Sequence, residues 1–308
     1  LPLRNSGYGT YWASPVSLFP DLFVYRLAEH MREFGLDGIY MDSTTSINGS
    51  VHPNGMRWTD EDGNARGSYP VRAMRDFTLR IYRMVNGEVV DGGVYYNHHS
   101  PPANACVENF VSVRCPSEFA QFYEGPLDDE FVDAFLAKNG GVPFGYYCEL
   151  TNKNWMPGIA KSITELYSVA LPLQVSFKAL NFVSWAEYDY SRLGQPMHLI
   201  WDAMRWVDSE TAQYLPWWEN ERYISIAPGE GTISAIWLQP GERALICVSN
   251  LPNEERELTV RLNLEELGLG NVTVEDAIVG GYLSVDGGEV TVTIEPQRWR
   301  LWKVEPAP

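Results

Sequence analysis

The feature of this sequence that most constrains its fold is the alternation of short apolar runs with amphipathic helical segments over residues 1–220. A run that is apolar along its whole length is typical of a parallel strand buried on both faces. Strands that alternate with helices form parallel βαβ units. The pattern therefore predicts an α/β fold. The predicted strands cover residues 9–12, 36–41, 94–96, 109–113, 144–148 and 180–185.

The segments between these strands carry the periodicity and the end signals of helices. Pro20 marks the start of the first helix and Gly35 its end, because proline suits a first helical turn and glycine accepts the left-handed conformation that follows a helix. In the second helix, apolar residues recur at helical spacing and predict a buried face formed by Met74, Phe77, Ile81 and Met84. The predicted helices cover residues 20–34, 69–85, 127–138, 158–177 and 197–207.

About six strands alternating with helices predict an incomplete (β/α)8 TIM-type barrel, since a closed barrel has eight strands and about 250 residues. Two explanations stay open: two strands precede residue 1 in a longer protein, or the sheet is open. The start of the chain, Leu1–Arg4, favours the first explanation. It has neither an initiator methionine nor the apolar segment of a signal peptide, so we expect a processed piece or a fragment.

The sequence changes character after Trp218, where the apolar runs become short, rich in β-branched residues and separated by Gly/Pro turns. Regularly spaced strands of this kind predict an antiparallel β-sandwich. We therefore expect a barrel domain over residues 1–220 and a C-terminal β-sandwich domain over residues 221–308. The predicted strands of the second domain cover residues 223–227, 232–238, 243–249, 257–262, 272–279, 289–294 and 298–304.

Composition excludes several classes of partner. The chain has 23 Lys and Arg against 40 Asp and Glu, a net charge of −17. Nucleic acids and anionic membrane surfaces are bound through basic residues, so we expect neither as a partner. No apolar run approaches the roughly 20 residues of a membrane-spanning helix. The oligomeric state and the compartment are not indicated, and a periplasmic or extracellular location of the full-length protein stays open.

Carboxylates follow several predicted strands. Barrel enzymes place their catalytic groups at the carboxyl ends of the strands, so residues distant in sequence converge there. Asp42 comes directly after the strand at 36–41, Glu118 follows the one at 109–113, and Glu149 comes directly after the one at 144–148. Aromatic neighbours would raise the pKa of Glu118, as a general acid requires. We predict these three as catalytic residues, and Glu187 as a residue that binds substrate.

Polar side chains also gather after the strand at 94–96, which continues into Asn97, His98 and His99. Adjacent histidines point to opposite faces of a strand, so only one of the two faces the mouth of a barrel. We predict that Tyr40, Asn97 and His98 bind substrate. A metal site is not predicted, because the sequence lacks the spacings of histidine ligands such as HExxH. The segment Asp60–Asn64 lacks the glycine and glutamate positions of a calcium loop and predicts an exposed turn.

Aromatic residues are abundant, with 11 Trp and 17 Tyr in 308 residues. Flat apolar ring faces suit the C–H faces of sugar rings. Tryptophans in or near the segments that follow strands, Trp58, Trp155 and Trp185 among them, are therefore candidates for sugar binding, and we predict Trp155 and Trp185 as substrate-binding residues. Four others lie at helical spacing or near the domain junction and are predicted in the core: Trp201, Trp206, Trp217 and Trp218.

Several stretches resemble known glycosidases. Residues 35–42 resemble a strand found in glycoside hydrolase barrels, and the combination of residues 70–75, 200–204, 214–220 and 243–251 is similar to the glycoside hydrolase family 123-like proteins, in which a barrel precedes a β-sandwich. The resemblance spans most of the chain and implies a divergent or N-terminally truncated member that hydrolyses carbohydrates. It also implies a carbohydrate substrate, with 2-acetamido sugars as one class of candidate.

The catalytic pair of that family does not map onto this sequence. Characterised members use adjacent Asp and Glu residues together with the acetamido group of the substrate. Asp60-Glu61 and Asp129-Glu130 are adjacent pairs here, but neither follows a predicted strand. We therefore expect a glycoside hydrolase that uses carboxylate acid/base catalysis without a cofactor. The alternatives are a non-catalytic carbohydrate-binding protein on a degenerate barrel and a metal-dependent hydrolase that uses His98 or His99.

Overall fold

The computed structural model describes residues 15–41, 57–67, 70–98, 110–117, 123–139, 147–150, 160–173, 176–177 and 195–308. Two units can be distinguished, and they interleave in sequence. The first comprises residues 1–117 and 141–149, and the second comprises residues 118–140 and 150–308.

The first unit contains helices and mainly parallel strands. In chain order they are α1 (Phe19–Phe34), β1 (Gly38–Met41), β2 (Arg57–Thr59), β3 (Ala65–Gly67), α2 (Val71–Arg83), β4 (Val94–His98), β5 (Val113–Ser117) and β6 (Tyr147–Leu150). The second unit contains α3 (Asp129–Asn139), α4 (Ile163–Ala170), β7 (Ser176–Phe177), α5 (Gln195–Val207) and the strands β8 to β16 described below.

Helices α1 and α2 pack through aromatic rings. The Phe77 ring of α2 lies 6.3 Å from the Phe19 ring and 5.6 Å from the Phe23 ring, both of α1. Gly35 ends α1 with φ 62°, as the sequence predicts, and its N–H donates to the Met31 carbonyl. The predicted face of the second helix is confirmed, because Met74, Phe77, Ile81 and Met84 are all buried.

Strands β1, β4 and β5 form parallel pairs, which confirms the α/β prediction for the first unit. Gly38 pairs with Val94, and Tyr96 with Val113. The strand order within this unit is β1-β4-β5-β6. Strands β1 and β4 approach closely at Gly38, where a Cβ would overlap the carbonyl oxygen of Val94. The strands predicted at residues 9–12 and 180–185 lie outside the described residues, so closure of a barrel stays a prediction.

Two predicted elements are placed differently by the structure. β5 begins at Val113 instead of covering residues 109–113, because its position is set by pairing with β4 and not by the apolar run Phe110–Val111. The helix predicted at 158–177 is wrong in length. Its start is fixed by Ser162, whose hydroxyl accepts from the Glu165 N–H while the Glu165 carboxylate accepts from the Ser162 N–H, and α4 is eight residues long.

The C-terminal part of the second unit consists of two antiparallel sheets. Their order is β14-β13-β16-β11-β10-β8 in the larger sheet and β15-β12-β9 in the smaller. The strands are β8 (Gln213–Pro216), β9 (Ile224–Ala227), β10 (Thr232–Gln239), β11 (Arg243–Asn250), β12 (Arg256–Leu262), β13 (Val272–Asp276), β14 (Tyr282–Leu283), β15 (Glu289–Ile294) and β16 (Arg298–Pro306).

The two sheets share one apolar core, as expected of the predicted sandwich. Ile246 and Trp302 of the larger sheet and Val260 and Val290 of the smaller are fully buried in it. The other face of the larger sheet is covered as well: Trp299 of β16 donates from its ring N–H to the Thr164 carbonyl of α4. A strand covered on both faces is apolar along its length, and β11 is buried from its second residue to its last.

Some details of this part differ from the sequence expectations. β8 lies before residue 220 and already pairs with β10, and neither β8 nor β14 was among the predicted strands. Trp201 and Trp218 are 37% and 45% exposed, so the prediction that they belong to the core is wrong for these two. Within the described residues, no helix is long and apolar enough to cross a membrane.

Candidate functional site

The carboxyl ends of the parallel strands of the first unit define the candidate site. Met41, the last residue of β1, is paired with Asn97 of β4, and His98 is paired with Cys115 of β5. Parallel strands end at the same edge of a sheet. This edge is therefore where groups from different strands converge. The next residues in sequence after β1 and β5 are Asp42 and Glu118, and both lie outside the described residues.

A hydrogen bond joins two of the predicted substrate-binding residues at this edge. The hydroxyl of Tyr40 on β1 lies 2.7 Å from Nδ1 of His98 on β4. Tyr40 is paired with Tyr96, and His98 stands two residues further along β4, so Tyr40, Tyr96 and His98 project from one face of the sheet. His98 is 6% exposed and Tyr40 42%. The pair therefore combines a buried imidazole with an aromatic ring that reaches solvent.

Tyr96 completes an aromatic cluster with these residues. Its ring centroid lies 5.1 Å from that of Tyr40, and the Tyr40 and His98 rings are 6.1 Å apart. Tyr96 was not among the predicted site residues. The sequence pattern could have indicated it, because residues two apart in a strand share a face and Tyr96 precedes His98 by two.

The opposite face of the same strands carries buried polar groups. Asn97 is paired with Arg114 of β5, and the two are 1% and 2% exposed. Alternation puts Asn97 on the face opposite Tyr40 and His98, so the structure does not bring it together with them. Its role in binding substrate stays a prediction. Burial on this face also raises the pKa of Tyr95 far above its usual value.

A short hairpin formed by β2 and β3 lies between β1 and α2 in the sequence. Asp60 stiffens its turn by accepting hydrogen bonds from the backbone of Asn64 (2.8 Å) and Asp62 (3.1 Å) and from Nε of Arg66 (2.8 Å). The bond from Arg66 is the main cause that lowers the pKa of Asp60. The predicted exposed turn is thus confirmed. Trp58 on β2 is 55% exposed.

Of the remaining predicted site residues, the structure describes the backbone of one. Glu149 lies inside β6, one residue before its end, and its side chain is outside what the structure describes. Asp42, Glu118, Trp155, Trp185 and Glu187 lie outside the described residues. Among the residues that are described, no group of three or more His, Cys, Asp or Glu side chains is placed to hold a metal ion.

The described part of the site offers hydrogen bonding and an aromatic surface. A neutral imidazole has one N–H donor and one acceptor nitrogen, and a phenol can both donate and accept. Such groups bind hydroxyls and can orient a carboxylate, while an exposed tyrosine ring can pack on an apolar surface of a ligand. A proton donor or acceptor of carboxylate type would have to come from the residues that follow the strands.

No protein-family model and no curated protein matches the chain. Solved structures of glycosidases are similar to it. For a maltogenic α-amylase from Thermotoga neapolitana, the TM-score is 0.58 at 13% identity, covering 94% of this chain and 66% of that one. For a GH27 β-L-arabinopyranosidase from Geobacillus stearothermophilus, the TM-score is 0.54 at 10% identity, covering 97% of this chain and 64% of that one.

An α-galactosidase I from Mortierella vinacea is similar as well, with a TM-score of 0.55 at 10% identity over 91% of this chain and 70% of that one. The chain spans slightly less than two thirds of the length of the amylase and of the arabinopyranosidase. At these identities the likeness concerns the fold alone. The chain thus has an α/β fold of the kind found in solved glycoside hydrolases.

Proposed function

We propose that the protein is a glycoside hydrolase that cleaves O-glycosidic bonds of an oligo- or polysaccharide. The observation that carries the proposal is the pair of Tyr40 and His98, hydrogen-bonded at 2.7 Å at the carboxyl ends of β1 and β4. Asp42 is the residue after β1, so a carboxylate follows this pair directly in sequence. The fold likeness to solved glycosidases supports the same reaction class.

In the proposed reaction, two carboxyl groups flank the glycosidic bond. One donates a proton to the leaving oxygen, and the other acts as a nucleophile or as a base that activates water. We assign the carboxylate to Asp42 and the acid to Glu118 or Glu149. No cofactor is part of this mechanism. A carboxyl separation of about 5–5.5 Å corresponds to retention of configuration and about 6.5–9.5 Å to inversion.

The sugar is bound by the groups around these carboxylates. His98 donates a hydrogen bond to an oxygen of the substrate or of a carboxylate, and the exposed part of the Tyr40 ring packs against a sugar face. Asn97, Trp155, Trp185 and Glu187 complete the binding residues in the proposal. A buried imidazole held by a tyrosine is well suited to this task, because its donor is oriented before substrate arrives.

The proposal includes the organisation of the chain. Residues 1–220 would belong to a (β/α)8 TIM-type barrel, and residues 221–308 would form the β-sandwich domain, with β8 leading into its larger sheet. The resemblance to glycoside hydrolase family 123 supports a divergent member of that family. The activity of the whole protein is proposed on the same basis.

The test is hydrolysis of a panel of aryl glycosides that includes α-glucosides, α- and β-galactosides, β-L-arabinopyranosides and 2-acetamido sugars. We expect turnover of at least one glycoside, with an acidic bell-shaped pH profile and no loss on adding a chelator. Asp42→Asn should abolish that turnover. Glycan binding without turnover would instead favour a non-catalytic carbohydrate-binding protein, and loss of activity with a chelator would favour a metal-dependent hydrolase.

A further inference from the structure

The hairpin formed by β2 and β3 is inserted at the end of the sheet that carries the candidate site. Strands β1 and β4 are parallel, so the chain leaves from the carboxyl end of β1 and returns through α2 to the start of β4. The connection from β1 to α2 covers residues 42–70, far longer than the roughly 2–6 residues usual in α/β units, and connections of such length are often binding loops. In barrel enzymes the loops at this end of the strands build the active site.

The hairpin carries one large apolar side chain on an otherwise polar surface. All residues from 57 to 67 except Asp60 and Gly67 are exposed, and Trp58 is the one large apolar residue in this range. Trp58 is 55% exposed. A protein interface needs a contiguous patch of about 800 Å² with an apolar centre, which a single indole among polar neighbours does not provide. A sugar ring fits it better, since it offers a small C–H face to the indole and hydroxyls to the polar groups around it.

Arg66 lies beside Trp58 on the same face of the hairpin. The two residues are directly paired across β2 and β3, and the alternation of side chains puts their sequence neighbours on the opposite face. The Cβ atoms of residues paired in this way are about 4.5–5.5 Å apart. The pair therefore combines an exposed indole with a guanidinium group that can donate to a sugar hydroxyl.

Asp60 fixes this pair in place. Its Oδ2 accepts from Nε of Arg66 at 2.8 Å, and its Oδ1 accepts from the backbone N–H groups of Asp62 and Asn64. A two-stranded hairpin by itself is only marginally stable in water, so these bonds hold its shape. Among the described residues Asp60 engages only Nε of Arg66, and both Nη groups stay available as donors. A surface that is ordered in advance loses little entropy when a ligand binds.

We infer that Trp58 and Arg66 form a glycan-binding platform for sugar residues of the substrate away from the cleaved bond. Trp58 stacks on the C–H face of a sugar ring, and Arg66, held by Asp60, donates to a hydroxyl of the chain. The ligand is thus a sugar chain that extends from the candidate site to the hairpin, an oligo- or polysaccharide and not a disaccharide. Taking this ligand as the substrate rests on the proposed glycosidase function, whereas glycan binding through Trp58 requires no turnover.

The first test measures binding alone. The wild-type protein, Trp58→Ala and Trp58→Phe are run in native affinity gels that contain soluble starch, arabinogalactan, galactomannan or glycol chitin. We expect at least one of these polysaccharides to retard the wild type. The affinity for that polysaccharide should be about tenfold lower in Trp58→Ala and within about threefold of the wild type in Trp58→Phe, which keeps a flat ring.

Trp218→Ala is the matched control, because this tryptophan is 45% exposed and belongs to the other unit. Its retardation should equal that of the wild type, and thermal unfolding of each variant checks that it is folded. The inference is overturned by a wild-type protein that none of the four polysaccharides retards, or by a Trp58→Ala protein that is retarded as strongly as the wild type. An equal loss of affinity in Trp218→Ala also overturns it.

The second test compares substrates of different length. We expect kcat/KM of Trp58→Ala to fall about tenfold more on the retarding polysaccharide than on an aryl monoglycoside, and mainly through KM. Equal losses on both substrates indicate a structural role and contradict the platform. If glycans bind through Trp58 and none is hydrolysed, the proposed function fails and the platform stands. If aryl glycosides are hydrolysed and polysaccharide binding does not depend on Trp58, the platform fails and the proposed function stands.

Discussion

Replacing Asn250 should unfold the C-terminal sheets at a markedly lower temperature. This residue ends β11, is fully buried, and donates from its side-chain Nδ2 to three carbonyl oxygens: Glu254 at 2.8 Å and Ile294 and Glu295 at 3.0 Å each. It therefore ties the turn after β11 to the end of β15. Asn250 lies in the stretch 243–251 that carries part of the family resemblance.

The size of the effect follows from the three acceptors. Asn250→Ala leaves all three without this donor, of which the Ile294 carbonyl is the buried one, and at about 1 kcal/mol for each net hydrogen bond the loss is about 2–3 kcal/mol. For a unit of this size that corresponds to a decrease in Tm of roughly 5–10 °C. Asn250→Asp should lower the free energy of unfolding further at neutral pH, because an ionised carboxylate has no hydrogen to donate and faces three carbonyl oxygens. The free energy of unfolding should recover in part when acid protonates the carboxyl.

The assay is thermal and urea unfolding followed by tryptophan fluorescence, at pH 7 and at acidic pH. Asn253→Ala is the control, since this exposed asparagine belongs to the same turn. Its free energy of unfolding should stay within about 0.5 kcal/mol of the wild type. An Asn250→Ala variant as stable as the control, or an Asn250→Asp variant as stable as the wild type at pH 7, would refute this role of Asn250.

Three further predictions concern other parts of the chain. Burial raises the pKa of the Cys247 thiol to about 12, so at pH 8 thiol reagents should modify it only after unfolding. Because the native thiol holds its proton more tightly than the unfolded one, its contribution to stability is complete below the unfolded pKa and is lost as pH rises towards 12. Urea unfolding of the wild type and of Cys247→Ala at increasing pH will measure this loss. Gly38→Ala should separate β1 from β4, because its Cβ would overlap the Val94 carbonyl, and should destabilise the first unit by about 1–3 kcal/mol and lower glycosidase turnover. Gly270→Ala is the control, since a Cβ there meets nothing within 4 Å, and it should have no effect in the same unfolding and turnover assays. The lowered pKa of Asp60 implies that its carboxylate stabilises the hairpin above the ordinary aspartate pKa and that this stabilisation is lost as pH falls through the lowered value. Amide protection factors across residues 57–67, corrected for the intrinsic pH dependence of exchange, should therefore fall on acidification in the wild type and stay unchanged in Asp60→Asn.

Elements whose ends carry local signals could be predicted well from the sequence. The strands expected at 232–238, 243–249 and 289–294 match β10, β11 and β15 within a residue at either end. Each is bounded by turns rich in Gly, Pro or Asn, and such turns depend on local backbone conformation. The buried face of α2 was equally predictable, because a helix packed on a sheet must repeat apolar residues every three to four positions.

Features that depend on pairing between distant strands could not be predicted in the same way. The apolar run Phe110–Val111 suggested an earlier strand, but β5 takes its position from the ladder with β4. Arg114 is buried within that ladder, although nothing in its local sequence distinguishes it from an exposed arginine. The short strand β8 has only four residues and ends in a proline, which does not favour a strand within a sheet, and its place at the edge of the larger sheet follows from pairing with β10.

In the candidate site, some features could be predicted from the sequence and others depend on how the strands pair and pack. The structure places Tyr40 and His98 2.7 Å apart, and this contact depends on the register between β1 and β4, which cannot be read from the sequence. Both residues had been predicted to bind substrate. Asn97, adjacent to His98 in sequence, occupies the other face because the same alternation applies to it. The alternation of side chains along a strand predicts that Asn97 and His98 lie on opposite faces. Which of the two faces borders the site depends on how the rest of the chain covers the sheet.

The most direct test of the account is the kcat/KM of Asp42→Asn relative to the wild-type protein, on the aryl glycoside that the wild type hydrolyses best. The carboxylate of Asp42 is proposed to act in the bond-breaking step, and an amide can neither attack nor take a proton. We expect kcat/KM to fall by about 10³-fold or more while the variant keeps its Tm. Turnover equal to that of the wild type would contradict the assignment of Asp42, and a wild-type protein that hydrolyses none of the glycosides would contradict the proposed function itself.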